Sequence, residues 1–368
     1  MKDAFFVPSF GNKPKNLVGR NDVLQRFDEC LDGVPGSKER ALLILGQRGT
    51  GKTVLLLEMA DKARNRGYIV SSPTVVSGEM PERIIEKLCI DGEKLIKKKV
   101  NRPTGGSLSL LGFGAGIQFG EEKDGEKSFS RKLSELCELF NKNGHPVLIL
   151  IDEAQAENEA LKQLVISYQE LVGEGRDIAI VMAGLPNTVS SILNDHVLTF
   201  LNRAVKIHLN PLKKNDIEDY YTAAFRELKI NVTGQMVTEA AFKASGSPYM
   251  MQLIGHYVTI AASDEGKISN KSVQTAFSRA EEDFRNDICD TTLAAVSDRD
   301  LDVLKLIARA EKDCTVAELS KKLGVSNQYV QIYKKRLLQA GIIEQPGRGR
   351  VRIVVPYLKE YLQMEDEN

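Results

Sequence analysis

Residues 41–57 read ALLILGQRGTGKTVLLL: a short apolar run, a glycine-rich turn and a second apolar run. The first run, Ala41 to Leu45, has the length and composition of a strand buried on both faces, and the second reads as a helix. Between them Gly46, Gln47, Arg48, Gly49, Thr50, Gly51, Lys52 and Thr53 keep the G-x-x-x-x-G-K-[ST] spacing of a phosphate-binding loop. Glycines let successive backbone N–H groups converge on phosphate oxygens, and the helix that follows turns the positive end of its dipole toward them. On this reading Lys52 reaches the β- and γ-phosphates, and Thr53 offers its hydroxyl to Mg²⁺.

A second stretch, PVLILIDEAQ from Pro146 to Gln155, reinforces the first. Five consecutive apolar residues predict a central strand, with Asp152 and Glu153 at its C-terminal end, the side on which ligands of open α/β sheets sit. Asp152 is then expected to hold Mg²⁺ through water, and Glu153 to orient and activate the attacking water. Strands expected at Tyr68–Val76, Asp177–Ala183 and Phe200–Leu209 alternate with helical periodicity, the pattern of a parallel sheet covered on both faces. Asn187, just past one strand end, is a candidate for sensing the γ-phosphate, with a turn or cap role as its alternative. Arg203 is a candidate to reach a neighbouring subunit's nucleotide, or else a surface ion pair.

Before the loop, Pro8, Gly11, Asn12 and Pro14 predict an extended lead-in, and Leu24, Phe27 and Leu31 an amphipathic helix capped by Asn21 or Asp22. Residues 103–120, PTGGSLSLLGFGAGIQFG, alternate apolar residues with glycine and read as a β-ribbon insertion. From Pro211 to about Asp290 the strands stop and helical periodicity predicts a bundle. The tail changes again. Thr315 and Glu318 form a capping box, Gly324 a turn, Ser326 the cap of a third helix, and residues 342–355 a basic-tipped hairpin. Three helices and a wing read as a winged helix. Between Thr315 and Val355 eight basic residues face two acids, a net of +6 in a chain whose fifty basic and fifty acidic residues otherwise cancel. Asn327, Gln328 and Gln331 are expected at DNA base edges, and Lys334, Lys335, Arg348 and Arg350 at phosphates. A protein-docking winged helix is the alternative.

The five cysteines, scattered and without a C-x-x-C pair, imply reduced thiols rather than disulfides or a zinc site. With no apolar run long enough for a membrane span and no secretory leader, the expected location is cytoplasmic.

The order GQRGTGKT, LILIDEAQ, helical segment, winged helix resembles the AAA+ ATPases, and within them the archaeal-type, origin-recognition-complex-like family, over roughly residues 16–358. The resemblance implies an α/β P-loop core over residues 17–210 after a short lead-in, a helical lid over 211–290 and a winged helix over 291–368. It implies ATP or ADP and Mg²⁺ as ligands, double-stranded DNA as partner and assembly into a homo-oligomer. It places Gly19 and Arg20, in LVGR, near the adenine, and Arg203 in the arginine-finger region. Where initiators of that family carry a lid arginine in a Gly-Asp-x-Arg setting, this chain has Gly246, Ser247, Pro248 and Tyr249. That departure is more similar to the regulatory, defence-type and transposition-helper ATPases, and implies a slow nucleotide switch as the alternative to a motor.

Overall fold

A computed structural model describes residues 5–8, 14–15, 17–99, 128–154, 158–186, 199–294 and 296–365. Asn187 and the glycine-rich ribbon lie outside the described residues.

Five parallel strands form the central sheet: β1 (Ala41–Leu45), β2 (Ile69–Val75), β3 (Val147–Asp152), β4 (Ile178–Gly184) and β5 (Val205–His208), in the order β2-β3-β4-β1-β5. Every residue of β1, β3 and β4 is buried, as expected of strands covered on both faces. The covering helices are α1 (Asn21–Asp32), α2 (Lys52–Asn65), α3 (Met80–Lys99), α4 (Phe129–Lys142) and α5 (Glu159–Gly173). One core lies on each face: Ile84, Leu88, Leu133, Phe140, Leu161 and Leu164 pack on one side, and Phe27, Leu55, Leu56 and Met59 on the other.

Two local expectations are corrected. Phe200–Arg203, expected to open the last strand, lie in a 3-10 turn, Thr199–Arg203, closed by Ala204 N–H donating to the Leu201 carbonyl with Leu201 fully buried beneath it. Helix α1 starts at Asn21 with no side-chain cap, so neither Asn21 nor Asp22 has that role.

A four-helix bundle follows: α6 (Lys214–Glu227), α7 (Gly234–Ala244), α8 (Pro248–Ala261) and α9 (Asn270–Phe284). Tyr221, Phe225, Phe277 and Phe284 fill its core, joined by Phe5 and Phe6 from the lead-in. Helix α9 runs on as a π-helix, Arg285–Asp290, into the last part of the chain.

There α10 (Asp298–Ala308), α11 (Val316–Leu323) and α12 (Asn327–Gln339) pack against a three-stranded antiparallel sheet, β6 (Cys314–Thr315), β8 (Arg350–Ile353) and β7 (Ile343–Glu344), and α13 (Leu358–Glu365) closes the fold. The capping box at Thr315 and Glu318 and the cap at Ser326 form as expected. All five cysteines are free. No described helix is long and apolar enough to cross a membrane.

Candidate functional site

The sheet aims β1 and β3 at the same edge, and the two sequence motifs meet there. Beyond β1 the loop rises through Gly49 and Gly51, whose φ angles of 75° and 82° are open to glycine but costly for other residues. Gly51 is the N-cap residue of α2, so the loop's N–H groups and the helix start share one concave surface. Lys52 folds over that surface, donating through Nζ to the carbonyls of Gly46 at 2.9 Å and Gln47 at 2.8 Å. Burial pushes its ammonium down to about 8, against the opposing pull of Asp152 and Glu153.

Thr53 donates through Oγ1 to Oδ2 of Asp152 at 2.6 Å, so residues 99 positions apart sit together as expected of a shared ligand site. Asp152, only 4% exposed, also accepts the N–H of Glu153 through Oδ1. Glu153 itself has φ 54°, left-handed backbone that is strained for a residue with a Cβ. This kink lifts an exposed carboxylate out of the end of β3, while Ala154 returns to the sheet by donating to the Ala183 carbonyl.

A cavity of about 470 Å³ opens from this loop. Arg48, Gly49, Thr50, Gly51, Lys52, Thr53, Asp152 and Glu153 line one end; Val7, Pro14, Leu17, Val18, Leu212, Met251 and Gln252 line the apolar remainder. Arg20 also lines it, but its guanidinium is committed to the carbonyls of Asn210 and Thr50 at 2.9 and 3.2 Å, with burial lowering its pKa. It therefore ties the loop to the start of the helical bundle. Gly19 makes the turn before α1 at φ 61° and does not line the cavity.

Tyr249, at the position where the resemblance leads one to expect an arginine, lines the cavity from α8. Its phenol donates to Asp287 in the π-helix, and burial together with that carboxylate holds it protonated well above the ordinary range. Ile288 of the same π-helix lines the cavity too. The winged helix approaches from another side. At Gly341, in the turn after α12, an added Cβ would lie 2.9 Å from Leu185, just past β4, and 3.0 Å from Oε1 of Gln47 in the phosphate loop.

The remaining candidates scatter. Arg203 is exposed and precedes Val205, the residue paired with Leu42 near the start of β1. It thus stands at the end of the sheet opposite the glycine-rich loop. Asn327, Gln328, Gln331, Lys335, Arg348 and Arg350 are exposed on the winged helix. Lys334 departs from expectation: it is 8% exposed, with burial lowering its pKa, on the α12 stripe that continues through Leu338 to Gly341 and the α/β core. The lead-in is more than the extended start that its prolines and glycine imply. Phe5 and Phe6 anchor it in the bundle, and Val7 reaches the cavity; its sequence sign is the adjacent aromatic pair in a turn-rich start.

Residues 16–176 match a family model described as an AAA ATPase domain, and residues 286–362 match a domain of unknown function, DUF8462. No curated protein matches. Among solved structures the chain is similar to the Walker-type ATPase PABY2304 of Pyrococcus abyssi, at 18% identity and a TM-score of 0.69, over 97% of this chain and 99% of that one. It is also similar to the ORC2 protein of Aeropyrum pernix, solved as ADPNP–ADP complexes, at 15% identity and a TM-score of 0.61, over 100% and 99% of the two chains. A third is Cdc6p from Pyrobaculum aerophilum, at 17% identity and a TM-score of 0.51, over 99% and 100%. The glycine-rich loop and the β3 carboxylates lie inside the first of these matches, so residues 16–176 form an AAA ATPase domain, in a chain whose fold is shared with these three proteins.

Proposed function

We propose that this ATPase binds double-stranded DNA through its winged helix, and that the nucleotide controls how that module is held against the ATPase core. The reading divides the chain into an ATPase core over 17–210, a lid over 211–290 and a winged helix over 291–368, in a cytoplasmic protein. The observation that carries it is the seating of Gly341 against Gln47 and Leu185. Gln47 belongs to the loop that wraps the phosphates, so a loop rearranged by its ligand alters the seat of the recognition helix directly. A second connection runs from Tyr249 through Asp287 into the π-helix. Single π turns inside helices recur at functional sites, where an extra residue leaves the backbone easily reset.

For hydrolysis, Thr53 and Asp152 form the hydroxyl and carboxylate pair that fits Mg²⁺, which takes few protein ligands when phosphates and waters complete its octahedron. Thr53 and Asp152 would hold such an ion at the phosphate end, where it would supply positive charge to offset that of the phosphates. Lys52 releases the loop carbonyls and turns to the phosphates. Glu153, raised by its kinked backbone, accepts a proton from the attacking water. Arg203, remote from its own site, completes the site of an adjacent copy in a homo-oligomer.

DNA engagement is read by fluorescence anisotropy of labelled duplex DNA over a salt series, with ADP and with ATP and Mg²⁺. Affinity is expected to differ between the two nucleotides and to fall steeply with salt. The double substitution Lys335→Ala and Arg350→Ala should flatten the log–log slope by about 1.8. Equal affinity with both nucleotides sinks the coupling, and an unchanged slope sinks the DNA surface. A second reading rests on Tyr329 and Ile332, 40% and 55% exposed on α12, which suit a protein partner. It predicts weak, salt-insensitive DNA binding that the double substitution leaves alone.

A further inference from the structure

The apolar end of the cavity contains one polar group whose chemistry nothing above uses. Gln252 lies on α8, one turn beyond Tyr249, and lines the cavity while only 7% exposed. Its Oε1 accepts the backbone N–H of Val7 at 3.0 Å. That bond settles which way the amide faces, because an N–H needs an acceptor. The amide nitrogen, Nε2, is left buried and without a hydrogen-bond partner among the described residues. A buried donor without a partner costs stability, so its retention calls for an explanation.

The surroundings are built to hold this amide in place. One turn further along α8, Gly255 lets the ring of Phe6 lie against the helix backbone, and Phe6 is in turn enclosed by Tyr220, Tyr221 and Phe225. Val7 follows directly, so an aromatic anchor delivers the N–H that orients Gln252. Val7, Pro14, Leu17, Val18, Leu212 and Met251 supply the apolar surface a flat ring needs. The described cavity wall contains just two carboxylates, Asp152 and Glu153, and both belong to the phosphate end.

We infer that Gln252 is the base-reading residue, its Nε2 donating to N1 of adenine, and that it sets the preference for adenine over guanine nucleotides. The inference rests on the cavity being the nucleotide site. N3 and N7 accept in both purines, so the discrimination lies at N1, a bare acceptor in adenine, where a fixed donor fits adenine and meets guanine donor to donor. Guanine replaces the N1 acceptor by an N–H and adds an amino group, which call for an acceptor; no carboxylate stands at this end to provide one.

Calorimetric titration with ADP and with GDP tests this without turnover. Wild type should bind ADP at least about tenfold more tightly than GDP. Gln252→Glu keeps an acceptor for Val7 but has no amide donor, and Gln252→Met removes both. Each should lose about tenfold in ADP affinity while GDP affinity changes far less, so the ratio approaches one. A charge effect of the glutamate on the phosphates would weaken ADP and GDP alike and leave the ratio intact. Equal binding of ADP and GDP by wild type overturns the inference with the nucleotide site still standing, as does a wild-type ratio in Gln252→Glu. If wild type binds neither, the nucleotide reading itself fails, and the inference with it.

Discussion

Gly255→Ala reverses the usual sign of a helix substitution. In the middle of a helix, alanine for glycine ordinarily stabilises by about 1 kcal/mol. On α8 the added methyl would lie 2.1, 2.2 and 2.5 Å from three ring carbons of Phe6. Carbon atoms rest at about 3.5–4.0 Å, so the ring must retreat by more than about 1 Å. It has nowhere to go: Tyr220, Tyr221 and Phe225 hold ring centroids 5.7, 5.9 and 5.4 Å away. Overpacking of this kind costs about 1–3 kcal/mol, and expelling the ring instead forfeits a similar amount of burial. The variant is therefore expected to lose about 1–3 kcal/mol in urea denaturation followed by far-UV circular dichroism. Gly173→Ala, at the end of α5 with nothing within 4 Å of the new methyl, serves as the control and should not destabilise. In a Phe6→Ala background the penalty should vanish or turn into a gain, because the colliding ring is gone. A Gly255→Ala protein more stable than wild type, or equally penalised with and without Phe6, would refute the claim that this glycine exists to seat the lead-in.

Two further outcomes follow from the phosphate end. Burial holds Lys52 at about 8 rather than its ordinary 10.5, so the unfolded chain binds more protons between those values and ligand-free stability rises with pH across that window. The penalty is fully present below pH 8; Lys52→Met should raise the urea midpoint at pH 7, lose that gain toward pH 10.5, and abolish ADP binding. Glu153→Gln should cut phosphate release at least about a hundredfold while ADP affinity stays within about threefold, since the side chain acts on water rather than on the nucleotide. Equal release from wild type and Glu153→Gln would remove the carboxylate from the mechanism.

The glycine-rich loop and its place between β1 and α2 were legible because they are set locally. Gly46 to Thr53 are consecutive, and the loop shape follows from the glycines whatever surrounds them; Asp152 and Glu153 were legible because an apolar run dictates a buried strand and its polar end must face the ligand edge. The winged helix was readable for the same reason, through the capping box at Thr315 and the cap at Ser326. Phe200–Arg203 misled, since an apolar pair before a strand has the same pattern whether it extends the strand or turns beneath it. Lys334 misled because a cation four residues from another apolar position looks solvent-facing until the surface that covers it is known.

What the sequence by itself determined, then, was each element and the chemistry of the loop that joins β1 to α2, because backbone periodicity, glycine conformation and capping act within a few residues. Only the tertiary structure decided what encloses the ligand. Val7 meets Gln252 across 245 positions, Gly341 meets Gln47 from the far end of the chain, and Tyr249 bonds to Asp287 across 38. Such contacts depend on how separately folded layers stack, and no local pattern records which glycine will receive an aromatic ring or which amide will be left with a donor to spare.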